Sequence, residues 1–181
     1  MFLLRSLALY GCQWNKPMTD CRYQFPYTPP RNQRLNSELY GQVGRICHFT
    51  ICSYCRQMPF ITADLNDAII ELLHTERERL GCFAHVYCLM PDHLHLLCSP
   101  RESGISMLTF INQFKGRTTR ASWLHGWQGK LWQPRNYDHF VREREDLLEI
   151  AGYILQNPVR KKLAEKSADY PWCGIIDQLP L

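Results

Sequence analysis

The run from Cys82 to Cys98 constrains the fold more than any other part of the chain. It reads Cys-Phe-Ala-His-Val-Tyr-Cys-Leu-Met-Pro-Asp-His-Leu-His-Leu-Leu-Cys. Two apolar stretches flank Pro91 and Asp92. A helix cannot pass through Pro91 without losing a backbone bond, and Pro-Asp favours a tight turn. Cys82 to Leu89 and His93 to Cys98 are therefore predicted as two strands of an antiparallel hairpin. The flanking segments extend this pattern. Arg45 to Tyr54, rich in Ile, Phe, Thr and Tyr, reads as a strand. A helix opens at Thr62, carries Leu65, Ile69, Leu72 and Leu73, and stops at Gly81. A second helix over 104–124 carries Ile105, Leu108, Ile111 and Phe114. Leu131-Trp132 and Asp138 to Val141 are short extended pieces around a turn at Pro134. Glu145 to Gln156 is a last helix, ended by Pro158.

The order β-α-β-β-α-β is that of the split βαβ, an α+β ferredoxin-like arrangement. It predicts an antiparallel sheet with two helices on one face, the other face left free, and an additional C-terminal helix. A domain of this kind is expected over residues 42–174. Residues 1–41, with Pro17, Pro26, Pro29 and Pro30 and no sustained period, read as an irregular leader. Residues 175–181 read as a tail. The whole chain has 181 residues, enough for one such domain with additions. No apolar run approaches the ~18 residues that would suggest a membrane span. The net charge of +4 permits a nucleic-acid partner without requiring one. Nine cysteines, an odd number, sit mostly in apolar stretches with no secretory signal ahead of them. Free thiols and a cytoplasmic location are expected.

The chemistry-bearing residues fall into two groups. His93 and His95 are two apart on a strand, so both imidazoles project from one face while Leu94 and Leu96 enter the core. Two neutral imidazoles so placed make half of a divalent metal site. With seven histidines in the chain a bare His-x-His is a common accident; its place on an apolar strand directly after a tight turn gives it weight. Tyr153 and Asn157 are spaced i, i+4 on the last helix and share a face. The phenol is a potential nucleophile and the amide oxygen a hard metal ligand. The plainer alternative makes Tyr153 a core aromatic and Asn157 a helix cap before proline.

Taken in order, Met90-Pro-Asp-His-Leu-His-Leu-Leu97, Leu131-Trp-Gln-Pro-Arg-Asn-Tyr-Asp-His139 and Tyr153-Ile-Leu-Gln-Asn-Pro-Val-Arg160 resemble the motifs of the single-tyrosine HUH transposases, and among them the REP-associated tyrosine transposases. The resemblance runs from about Gly44 to Trp172. It implies Mg²⁺ or Mn²⁺ held by His93, His95 and Asn157, with Tyr153 as nucleophile. It also implies a possible homodimer, since related transposases share helices between subunits. Tyr137 is a second candidate nucleophile, but no potential ligand lies one helical turn from it.

Such a tyrosine would cleave a phosphodiester covalently, leaving a 5′-phosphotyrosine and a 3′-hydroxyl. The covalent link conserves the bond, so rejoining needs no ATP, and no phosphate-binding Gly-x-x-x-x-Gly-Lys motif is present. A nucleophile on a sheet face must reach an accessible backbone, which predicts single-stranded or hairpin DNA. From Lys115 to Lys166 there are 11 Lys plus Arg against 6 Asp plus Glu. Arg135, Arg142, Arg144, Arg160, Lys161 and Lys162 are the candidate phosphate contacts. Trp132, with Trp123 and Trp127, could stack on bases; the alternative is a solvated basic face with core tryptophans. Cys52-x-x-Cys55 lacks a second pair and is not read as zinc. His48 is read as a core or supporting histidine. The rival to a strand transferase is a non-catalytic single-stranded nucleic-acid-binding module derived from one.

Overall fold

The computed structural model describes residues 36–142 and 147–180. Five strands form one sheet in the order β4-β1-β3-β2-β5: β1 Cys47–Cys52, β2 Cys82–Met90, β3 His93–Pro100, β4 Tyr137–Phe140 and β5 Cys173–Ile175. Every pairing is antiparallel. The first four strands, with α1 (Ala63–Arg79) after β1 and α2 (Met107–Leu124) after β3, reproduce the ferredoxin-like split βαβ. Two further helices, α3 (Leu147–Leu155) and α4 (Asn157–Arg160), follow β4.

The alternation of β3 divides the structure into two layers. Leu94, Leu96 and Cys98 point to α1 and α2, where Phe49, Ile51, Ile69, Leu73, Phe110 and Phe114 complete the main core. Leu97 points the other way, with Val86, Cys88 and Met90, and packs against Ala151 and Ile154 of α3. The second face is thus not free, as the hairpin pattern alone suggested. α3 and α4 pack over β2, with α3 also touching β3, and bury that half. α1 matches the predicted helix, and Gly81, at a φ of +64°, ends it. A side chain there would also collide with Ile105, 2.6 Å from the position a Cβ would take. In α2 the fully buried face is Met107, Phe110, Ile111 and Phe114; Ile105 and Leu108 lie at its rim.

Three segments depart from expectation. Residues 36–41, placed in the irregular leader, form a short 3-10 turn (Ser37–Gly41) that buries Tyr40 against Phe49 and Phe140 and hydrogen-bonds Asp138 through its hydroxyl. The rest of the leader lies outside the described residues. The C-terminal segment is not a loose tail: β5 pairs with the edge of β2, and Asp177 binds Arg77 at 2.7 Å and the Ala84 N–H at 2.8 Å. Cys55 is disulfide-bonded, against the expectation of thiols throughout. It sits in the Tyr54–Arg56 turn just after β1. Cys47, Cys52, Cys82, Cys88, Cys98 and Cys173 are free. Among the described residues no helix is long and apolar enough to cross a membrane.

Candidate active site

Because β3 lies between β1 and β2, the second face of β3 meets residues from both neighbours. In the β1 register Cys52 faces His93, Thr50 faces His95 and His48 faces Leu97. This builds a continuous polar row. The Asp92 carboxylate accepts from His93 Nδ1 at 2.6 Å. His93 Nε2 and His95 Nε2 are 3.0 Å apart. His95 Nδ1 lies 3.1 Å from His48 Nε2 and 3.2 Å from Thr50 Oγ1.

A carboxylate only accepts, so His93 Nδ1 carries its hydrogen and His93 Nε2 is the free end of that ring. Burial tends to raise the Asp92 pKa, but the His93 hydrogen bond and charge, with Arg56 nearby, outweigh it and hold the carboxyl below its ordinary value. The other contacts admit two proton settings. In one, His48 donates to His95 and His95 donates to His93, which satisfies the row by itself. In the other, His95 donates from Nδ1 to His48 or Thr50, and both Nε2 lone pairs face the same point. Burial, reinforced by His93 and His48, pushes the His95 pKa down to about 3. Burial and His139 push that of His48 down to about 4. Both rings are neutral at physiological pH, the form that ligates metals.

The second setting fits a divalent cation. Two cis ligands of an octahedral ion at about 2.1 Å lie about 3.0 Å apart, which is the separation of the two Nε2 atoms. The carboxylate behind His93 is the usual outer support of a metal-bound imidazole. No group of three or more His, Cys, Asp or Glu converges among the described residues.

Helix α3 supplies the remaining pieces. Ala151 and Ile154 anchor it to the sheet and turn Tyr153 to the open side, 46% exposed. The Tyr153 ring stands edge-on to His95, with centroids 6.1 Å apart and planes at 79°. Tyr153 is therefore not a core aromatic. Pro158 has no N–H to offer the Ile154 carbonyl four residues back. The Asn157 amide nitrogen replaces it, donating to the carbonyls of Tyr153 at 3.0 Å and Ile154 at 3.3 Å. That is the cap role weighed from the sequence. It ties down the nitrogen and leaves Oδ1 as the free end of a buried amide.

Other sequence candidates are dispersed. Trp132 is corrected from base-stacking surface to core: it is 4% exposed, lies between Phe60 and Phe114, and donates from its indole to Thr118 Oγ1 at 2.8 Å. The cause is Lys115, whose ammonium binds the Gln133 and Pro134 carbonyls and Asn136 Oδ1, pulling the 131–136 segment down onto α2. Trp123 is exposed and Trp127 half-buried. Arg135 and Arg142 flank β4 and are exposed, as are Lys161 and Lys162 just after α4. Arg144 lies outside the described residues. Arg160 does not stand free: its guanidinium sits over the Tyr153 ring, 4.6 Å from the centroid. Tyr137 faces the same side, two strands from His95 in register with Thr50, and has no ring contact with His93 or His95 among those the structure shows.

Sequence reasoning missed Asp92, Thr50 and Arg56. Asp92 was treated only as a turn former, although its place directly before the His pair was a signal. Arg56 lies 3.5 Å from Asp92 in a turn where it and Cys55 both hold positive φ, a strained pair of non-glycine residues beside the site. No local pattern marks it.

A ferredoxin-like sheet with a histidine pair on one face and a tyrosine helix against it agrees with the arrangement that the motif resemblance implies for a transposase. Comparison with known proteins gives the same class. The chain belongs to the IS200-like transposase family, whose model matches residues 42–157. A Haemophilus influenzae protein carrying the provisional name of REP-associated tyrosine transposase is 30% identical over 139 residues, covering 71% of this chain and 78% of the relative. The REP-associated tyrosine transposase of Escherichia coli is 25% identical over 129 residues, covering 71% and 75%. A solved REP-associated tyrosine transposase bound to a REP hairpin shares the fold, with a TM-score of 0.61 at 20% identity, over 72% of this chain and 76% of that one.

Proposed function

We propose that this chain is a single-tyrosine DNA strand transferase acting on single-stranded or hairpin DNA. The observation that carries the reading is the edge-on contact of Tyr153 with His95 at 6.1 Å. It brings the half-exposed Tyr153 ring into contact with His95 within one chain. In the reaction Tyr153 Oη attacks a backbone phosphorus. The Oη–P bond forms and the P–O3′ bond breaks, giving a 5′-phosphotyrosine and a free 3′-hydroxyl; the phenol loses its proton and the departing O3′ gains one. Attack by another 3′-hydroxyl reverses the step and joins strands.

His93, His95 and the Asn157 oxygen would hold Mg²⁺ or Mn²⁺, which when bound offsets charge on the scissile phosphate. The protein's own contribution is orientation. Asp92 and His48 fix the two imidazoles, and the packing of α3 through Ala151 and Ile154 sets the side of the helix on which Tyr153 stands. Arg135, Arg142, Lys161 and Lys162 remain the proposed phosphate contacts, and the hairpin-bound structural relative supports a hairpin substrate. A homodimer is compatible with this site but is not needed to complete it.

The test is incubation with a hairpin oligonucleotide bearing a single-stranded flank and Mn²⁺, followed by denaturing electrophoresis. A covalent protein–DNA band that requires Tyr153 and is lost with chelator is expected. Hairpin binding without any adduct would leave a non-catalytic nucleic-acid-binding module.

A further inference from the structure

Arg160, read from the sequence as a DNA phosphate contact, lies in the fold against Tyr153. Its guanidinium lies 4.6 Å from the Tyr153 ring centroid, while His95 approaches the same ring edge-on. No ion pair engages Arg160 among the described residues. Tyr153 is close to half exposed, so α3 alone does not fix its ring. A surface tyrosine ordinarily exchanges rotamers on a picosecond-to-nanosecond scale, and a nucleophile that wanders loses the benefit of alignment.

The helix break explains why Arg160 reaches back. It lies seven residues after Tyr153, on the same side of a nearly continuous helix. Gln156 bridges α3 and α4 with tightened backbone angles, φ −86° and ψ −3°. Helical side chains lean toward the N-terminus, so the long arginine folds back across the Pro158 bend. The Asn157 amide repairs the missing hydrogen bond at that bend, which lets the chain keep both the bend and the helix. A planar guanidinium against an aromatic face is a favourable pairing.

We infer that Arg160 is a positioning residue that holds the Tyr153 ring in its contact with His95. This rests on the reading of Tyr153 as nucleophile, but the placement of the ring can be measured without DNA. The first measurement is the Tyr153 ring NMR signal, assigned by its loss in Tyr153→Phe, compared between wild type and Arg160→Ala. Loss of the shift displacement caused by the His95 ring, and narrowing from faster motion, is expected. An unchanged ring signal overturns the inference, whatever the protein does to DNA.

The second measurement is single-turnover adduct formation at saturating hairpin DNA, beside the Kd and its salt dependence. For Arg160→Ala a saturating rate lower by about three- to tenfold is expected, with Kd and salt slope unchanged. Arg160→Lys keeps the charge without the plane and should recover only part of the rate. A weakened Kd with a salt slope reduced by about one and an unchanged saturating rate would make Arg160 a plain phosphate contact and overturn the inference. If wild type forms no adduct, the functional reading fails separately, and the ring measurement still decides the role of Arg160.

Discussion

The two faces of the sheet come from the same strands and have opposite characters. On one, Leu94 and Leu96 meet Phe49, Ile51 and two long helices, and everything is buried. On the other, the alternate residues of those strands are His93, His95, His48 and Thr50. The nine-residue α3 and the short α4 cover only the β2 side, through Ala151, Ile154, Val86 and Leu97. The histidines lie at the margin of that cover. There burial is enough to keep His95 and His48 neutral, and the site remains open enough for a ligand. The lesson is that partial cover supplies chemistry that full cover would exclude.

Four measurements would break or sharpen this contrast. The largest effect is expected from Tyr153→Phe. It removes one hydroxyl from the open side, and adduct formation should fall by at least about a thousandfold, with the thermal midpoint unchanged; a stable variant that still forms adduct would remove Tyr153 from the chemistry. Next is Trp132→Ala on the closed face. A cavity between Phe60 and Phe114, with Thr118 left unpaired, should cost about 3–5 kcal/mol in denaturant unfolding, while an exposed base-stacking role would cost stability almost nothing. Third, His48→Ala removes the partner of His95 Nδ1, and metal affinity followed by calorimetry should weaken by about 10–100-fold, with His48→Gln recovering part of it. The smallest is a pH effect. The folded-state pKa of His95 lies near 3 against 6.5 ordinarily. As pH falls below 6.5 the unfolded chain takes up a proton that the native state refuses. His95 should therefore contribute a loss of about 1–2 kcal/mol of stability in chelator between pH 7 and pH 5, beside a similar one from His48, and His95→Gln should remove its own share of that slope.

Much of this was legible locally. The period of two in His93-Leu94-His95-Leu96 assigns faces without any knowledge of the partner strands. The period of 3.6 does the same for Leu65, Ile69 and Leu73. The spacing of Tyr153 and Asn157 put both on one helix face before their surroundings were known. Trp132 was not legible, because its burial depends on Lys115, 17 residues away, gripping the 131–136 carbonyls. His48 was read as a core or supporting histidine, but that it supports His95 was not legible, since this depends on strand register between residues 47 positions apart. The contact of Arg160 with the Tyr153 ring was not legible, because composition reports its charge and not where the Pro158 bend directs it.

The amino-acid order on its own determined the succession of strands and helices, the segregation of apolar from imidazole side chains, and the tyrosine helix, because these follow from steric periods that act over a few residues. Tertiary structure alone decided which histidine supports which, which tryptophan reaches water, and what lies over the phenol. Those outcomes depend on register and docking between distant segments, where a shift of one residue would exchange the two faces.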